Sequence, residues 1–223
     1  VGKKLRETVR NISPNHGKQL QMETFEIEVK FYVTDLSALR ERILAAGGIS
    51  TGRIFENNVR FEDANESLIQ KKSLLRLRKD RSAKLTFKFT PPAEDNQFKI
   101  RKELEVEVSD FSTMYHILEF LGFHKIQIYE KWRESFEINK THLCIDEMPY
   151  GNFLEIEGEK KNIRALAHQL GLQWEKRILP SYLKIFSIIK QKQHLDFSDL
   201  TFDNFRHVAV DFTEYLPLIE VGE

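Results

Sequence analysis

Seven short segments place charged side chains on alternate positions and sort them by sign. Glu26, Glu28 and Lys30 alternate with Phe25, Ile27, Val29 and Phe31. Arg76 and Arg78 share a face, as do Lys84, Thr86 and Lys88, then Arg101, Glu103, Glu105 and Glu107, then Lys131 and Arg133, then Glu155 and Glu157, while Asp146 follows Ile145. An extended chain sends alternate residues to opposite faces, so each of these segments has one charged and one apolar face. A solvated face of a one-sided sheet also alternates, but it usually mixes Thr, Ser, Gln and Lys rather than pairing acids with acids and cations with cations. A sheet closed on itself puts the charged faces into one lumen and turns the apolar faces outward under helices.

Crowded carboxylates raise one another's pKa unless a cation sits among them. Oxygen ligands of this kind suit Mg²⁺ or Mn²⁺, and Mg²⁺ typically completes its shell with water and substrate phosphates. The converging Arg and Lys residues need an anion, and phosphate oxygens fit both the Arg fork and the Lys point charge. Acids and cations together fit a metal–triphosphate complex.

The positioning elements follow from periodicity. Phe25–Val33 reads as a strand, and Asp35 or Thr34 caps a helix over Leu36–Ala46 that stops at Gly47-Gly48. Residues 49–73 read as irregular, with weak strand signals around Ile54–Phe61. Leu74–Lys79 and Lys84–Thr90 form a hairpin about Asp80-Arg81-Ser82, and Lys99–Ser109 is a long strand. Asp110 caps a helix over Phe111–Leu121. Strands follow at Gln127–Ile138, His142–Glu147 and Phe153–Gly158, then helices at Lys161–Leu170 and Tyr182–Gln193, the last opened by Pro180-Ser181. The segment from His194 onward reads as a partly ordered extension.

The chain has 223 residues, 41% hydrophobic and 11% aromatic, enough for a buried core. Lys+Arg and Asp+Glu both number 34, so the basic excess of a nucleic-acid binder is absent. No apolar run approaches a membrane span. The lone Cys144, in an apolar stretch, rules out an internal disulfide and reads as a small buried hydrophobe. The seven His show no metal-ligand spacing, and Ser181 reads as a helix cap rather than a nucleophile. No phosphate-binding glycine loop occurs. A cytosolic protein is expected, without nucleic-acid or membrane partners. Residues 1–21 are basic and lack an apolar signal core. They read as an upstream extension or start-site artefact before Met22, with an organelle transit peptide as the weaker alternative.

The run Glu26-Ile27-Glu28-Val29-Lys30 matches the pattern ExExK. It is followed in order by Leu-Arg-Leu-Arg at 75–78, Leu-Thr-Phe-Lys at 85–88, Arg-Lys-Glu-Leu-Glu at 101–105, Glu-Lys-Trp-Arg at 130–133, Asp146, and Gly-Asn-Phe-Leu-Glu-Ile-Glu at 151–157. Over residues 22–192 the sequence resembles the CYTH superfamily, the triphosphate tunnel metalloenzymes. The resemblance implies an α+β fold, an eight-stranded antiparallel β-tunnel with helices packed outside, acting on triphosphates with Mg²⁺ or Mn²⁺. It implies Glu26 and Glu28 as metal ligands, with Asp146, Glu155 and Glu157 completing the metal set. Lys30, Arg76, Arg78, Lys88, Lys131 and Arg133 become the phosphate cage, and Lys184 closes one mouth. Glu103 and Glu105, with Lys88, fall at the catalytic step. Lys84, Arg101 and Glu107 are rim residues. A homodimer is compatible with this resemblance.

Two reactions use such a cage: hydrolysis of inorganic, nucleoside or thiamine triphosphate, and cyclisation of ATP to cyclic AMP and pyrophosphate as in class IV adenylate cyclases. Segments 129–133 and 146–158 resemble the cyclase-labelled branch, whereas Glu23-Thr24-Phe25 replaces the His-Phe lead-in of cyclases. Hydrolysis is therefore the first expectation, cyclisation the second, and a phosphate-binding module without turnover the third. Deleting residues 1–21 should leave melting temperature and turnover unchanged, and a large loss of either would give that segment a structural or catalytic role.

Overall fold

The computed structural model describes residues 25–91 and 95–222; the expectation for residues 1–21 lies outside them. The alternating segments become β1 (Phe25–Tyr32), β2 (Ile49–Asp63), β3 (Ser73–Lys79), β4 (Ala83–Phe89), β5 (Lys99–Val108), β6 (Phe123–Ile138), β7 (Thr141–Met148) and β8 (Gly151–Glu157). They close in the order β1-β5-β4-β3-β2-β6-β7-β8, and every neighbouring pair is antiparallel. The expected eight-stranded tunnel is the observed fold.

The helices are α1 (Leu36–Ala45), α2 (Ser67–Gln70), α3 (Phe111–Phe120), α4 (Lys160–Gln169), α5 (Tyr182–Gln193) and α6 (Leu216–Ile219). Asp35 and Asp110 cap α1 and α3 as their sequence positions suggest, accepting from the backbone N–H of Ala38 and Thr113. Two apolar cores lie outside the ring. Val29, Phe31, Phe136, Leu154 and Ile156 of the wall pack beneath Leu39 and Ile43 of α1 and Ile163 and Leu166 of α4. Val59, Phe61, Leu75 and Leu77 pack with Leu118 of α3.

Two segments differ from the sequence reading. The stretch read as irregular is mostly β2, a strand of 15 residues that pairs along its length with β6. Its outward residues Phe55, Val59 and Phe61 alternate with Glu56, Asn58, Arg60 and Glu62, so the period is two after all. Asn57, Asn58 and Gly52 mask it, because Asn and Gly are poor strand formers. Gly52, at φ +94, takes up a register shift against β6, a conformation that favours glycine.

The second difference is the segment after α5. Tyr215, Phe212, Leu200, Phe205 and Ile219 are buried with Phe153, Tyr182 and Phe186 in a core of their own. This segment also pairs with β6. Strand β7 covers only the Trp132–Ile138 half of β6. Beside the other half, the Leu200 N–H donates to Ile128 O (2.8 Å) and the Glu130 N–H donates to Leu200 O (2.9 Å). The residues from 195 onward thus extend the wall as well as its packing.

Phe212 is 2% exposed and stacks against Tyr32 and Tyr150, with Phe153 edge-on. Phe212→Ala should cost about 3–5 kcal/mol, the range for truncating a buried Phe. Urea unfolding measures it, and an unchanged midpoint would make the tail dispensable to the fold.

Candidate active site

The inward faces enclose a cavity of about 1110 Å³. Lys30, Arg76, Arg78, Lys88, Lys131, Arg133 and Lys184 all line it, as do Glu26, Glu28, Glu103, Glu105, Glu155 and Glu157. Lys84 and Arg101 also reach it. The register explains the convergence. Lys30 lies opposite Glu155, Glu28 opposite Glu157, Arg76 opposite Thr86, and Lys88 opposite Glu103. Directly opposed side chains stand close enough to interact.

The six presumed cage cations are all bound to carboxylates. Lys30 Nζ lies 2.5 Å from Glu28 and 3.1 Å from Glu155. Lys88 Nζ lies 2.8 Å from Glu26 and 2.5 Å from Glu103. Arg76 lies 3.6 Å from Glu105 and donates to Thr86 Oγ1 and the Tyr129 hydroxyl. Arg78 donates to Glu56 at 3.2 Å. Arg133 grips Asp146 through Nε (2.6 Å) and Nη2 (2.5 Å) and also contacts Glu155. Lys131 lies 3.1 Å from Asp146 and 3.6 Å from Glu56.

Asp146 does not line the cavity. It is fully buried behind the cage, where it also accepts from the Tyr182 hydroxyl of α5 at 2.8 Å. Tyr182 sits beneath two ammonium groups, with Lys30 and Lys131 5.2 and 5.4 Å from its ring centre. Burial and the facing carboxylates Asp146 and Glu155 hold its phenol well above the usual range.

Two residues missed in the sequence complete the network. Glu56 of β2 is 1% exposed and faces Lys131, Arg133 and Arg78. Burial opposes its charge, yet those cations hold its carboxyl far below the usual carboxylate range. The misreading of β2 hid it. Lys99, two residues before Arg101 on the same face, lies 2.5 Å from Glu28. Burial pulls Lys99 down to about 8 against the attraction of Glu28. Glu28 itself stays at about 2, because Lys30 and Lys99 outweigh its burial.

The acids divide into two groups. Asp146, Glu56 and Glu155 are held by Arg and Lys. The Glu157 carboxylate has no hydrogen bond or ion pair among the described residues, and the residue stands beside Glu28 in the β1–β8 register. Burial, then Glu26 and Glu28, push its carboxyl up to about 8. As the side chains stand, no group of three or more His, Cys, Asp or Glu among the described residues could hold a metal ion, since Lys88 is bonded to Glu26 and Lys30 and Lys99 to Glu28. The donor chemistry nevertheless fits one: Glu26, Glu28 and Glu157 are hard oxygen donors on adjoining strands, and the raised carboxyls of Glu26 and Glu157 are what a bound cation would relieve. Cys144, read from the sequence as a small buried hydrophobe, is instead half-buried on the charged lumen face beside Ser135, because its apolar neighbours Leu143 and Ile145 take the outer face; burial raises its thiol to about 11, so it stays protonated.

The CYTH domain family model matches residues 24–179. The chain belongs to the CYTH family. A Methanocaldococcus jannaschii protein whose given name includes "adenylate cyclase" is 26% identical over 133 residues, 59% of this chain and 75% of that protein. Among solved structures, the PH1012 protein of Pyrococcus horikoshii is 27% identical with a TM-score of 0.60, covering 70% of this chain and 96% of its own. An adenylyl-cyclase-named protein of Hippeastrum, described as revealing a dominant triphosphatase activity, shares the fold at 18% identity and a TM-score of 0.54, covering 75% of this chain and 96% of its own. CYTH enzymes bind triphosphates and are generally metal-dependent, so the charged lumen is the site this family membership points to. Among the described residues, no helix is long and apolar enough to cross a membrane.

Glu56→Gln leaves three cations around a neutral amide. Breaking a buried pair typically costs about 3–5 kcal/mol, so urea unfolding of this variant should show a loss of about 3 kcal/mol, partly restored by tripolyphosphate binding to the native state. Wild-type stability would remove Glu56 as the anchor of the cage.

Proposed function

We propose that this CYTH protein is a divalent-metal-dependent triphosphatase using Mg²⁺ or Mn²⁺. The observation that supports this most directly is the cage itself, in which six cations from four strands converge on one cavity, each already oriented by a carboxylate. Such preorganised charge favours a transition state whose negative charge is spread over phosphoryl oxygens.

Lys30, Arg76, Arg78, Lys131 and Arg133 bind the phosphate oxygens. Asp146 and Glu56 orient Lys131 and Arg133, and the Tyr182 hydroxyl of α5 holds Asp146 in place. Lys88, shared between Glu26 and Glu103, turns to the phosphate when it binds. Glu103 and Glu105 accept hydrogen bonds from the water that attacks the terminal phosphorus, and one of them takes its proton; the bond from that phosphorus to the bridging oxygen breaks, and the leaving phosphates depart with their charge held by the cage. Glu26, Glu28 and Glu157 would hold the cation. The bound cation supplies neutralisation of phosphoryl charge and a lowered pKa for nearby water. Asp146 and Glu155 serve the cage rather than the metal, because Arg133 binds both.

Phosphorus NMR of the protein with tripolyphosphate or ATP, with Mg²⁺ or Mn²⁺ and then EDTA, tests the reaction. Orthophosphate that disappears with EDTA is expected. Cyclic AMP and pyrophosphate from ATP would make the protein a cyclase, and tight binding without product from either compound or thiamine triphosphate would make it a binding module. Glu157→Gln should abolish metal-dependent turnover while leaving the melting temperature equal or higher, because the lost carboxylate has no cation partner. Unchanged turnover would remove Glu157 from the metal site.

A further inference from the structure

The cage cations all have carboxylate partners, but several others lining the same cavity make no ion pair among the described residues, Arg101 of β5 among them. Arg60 of β2 and Lys184 and Lys190 of α5 make no ion pair among the described residues. They gather at the mouth crossed by α5. Arg60 lies opposite Arg76 on β3 and opposite Gln127 on β6. The Gln127 side chain donates to Ser198 O (2.8 Å), and Lys190 Nζ donates to Ser198 Oγ (2.9 Å). Lys184, Ser187 and Lys190, at helical spacing of three, all line the cavity.

No nearby acid forms an ion pair with these three cations among the described residues, although Glu62 attracts Arg60 through space. Glu62 is buried, and its carboxylate accepts from the backbone N–H groups of Asp63, Leu68 and Ile69. The Asp199 carboxylate, beside Ser198, accepts from the Ile128 N–H. Arg60 is half-buried, and one step along the lumen Arg76 marks the edge of the cage. The mouth therefore holds donors and positive charge in excess, with hydroxyl and amide groups beside them.

We propose that this mouth is a further anion subsite, holding a phosphate one unit beyond the caged triphosphate, so that linear polyphosphates of four or more phosphates are preferred over tripolyphosphate. This rests on the triphosphate reading of the cage. The segment after α5 takes part directly: Ser198 fixes Lys190 and is itself held by Gln127.

Calorimetric Kd values in EDTA and KM values with Mg²⁺, for tripolyphosphate and linear tetraphosphate, test the proposal. The wild-type protein should favour tetraphosphate about tenfold, the scale of one charge-assisted contact. Arg60→Gln and Lys190→Gln should each erode that preference while leaving tripolyphosphate affinity unchanged. Should Arg60→Gln fail to fold, Lys190→Gln, on the outer helix, carries the same test. Equal affinity of the wild type for both ligands, or an equal loss for both in the variants, would overturn the subsite. Failure to bind either ligand under either condition would overturn the triphosphate reading itself.

Discussion

A ring of strands lined with ionised groups must neutralise itself from within. Moving a charge out of water costs several kcal/mol even after relaxation, and only a well-placed opposite charge offsets it. The pairing in this lumen answers that constraint residue by residue. Glu28 lies between two lysines, Asp146 and Glu155 share Arg133, and Glu56 faces three cations. The same constraint explains why two of the apolar cores lie outside the ring: where the inner face of a strand is given to charge, the outer face supplies the burial, and α1, α3 and α4 cover it. The third core packs α5 against Tyr129 and Phe153, which stand on the same strand faces as Lys131 and Glu155.

The pairing is also uneven, and the unevenness is where chemistry enters. Carboxylate–cation pairs hold the middle of the lumen rigid. At one side the Glu157 carboxyl stands beside Glu26 and Glu28 without an ion pair and is pushed up to about 8; at the α5 mouth Arg60, Lys184 and Lys190 make no ion pair among the described residues. An extended polyanion carrying a divalent cation at one end complements that polarity along its length. Arg133 and Lys131 are then presented by Asp146 and Glu56 rather than left to swing.

Much of this was legible in the sequence. Glu26-x-Glu28-x-Lys30, Arg76-x-Arg78 and Glu103-x-Glu105 display their inner faces directly, because apolar residues fill the alternate positions. Strand β2 was not legible, since Asn57 stands where the outer face should be apolar and Asn58 and Gly52 lower strand propensity; Glu56 was lost with it. Lys99 was overlooked because it begins its strand, where alternation has no preceding residue to confirm it. The residues after α5 carried no period to read. Phe197, Phe205, Phe212 and Tyr215 bury themselves by ring-to-ring contact in irregular backbone, which leaves no repeat in the chain.

The closure of the ring also dictates how the molecule must come into being. Strand β1 finds its partners at β5 and β8, with Glu28 opposite Lys99 on one side and Glu157 on the other. One edge of β1 therefore waits for β5 (Lys99–Val108) and the other for β8 (Gly151–Glu157), and the wall beside Ile128 waits longer still for Leu200. Such long-range pairing places folding in the slow regime, roughly milliseconds to seconds for small two-state β proteins and slower for longer chains. Until then, β1 exposes unpaired edges and a half-built row of charges, so a nascent chain of this protein is a natural client for chaperones.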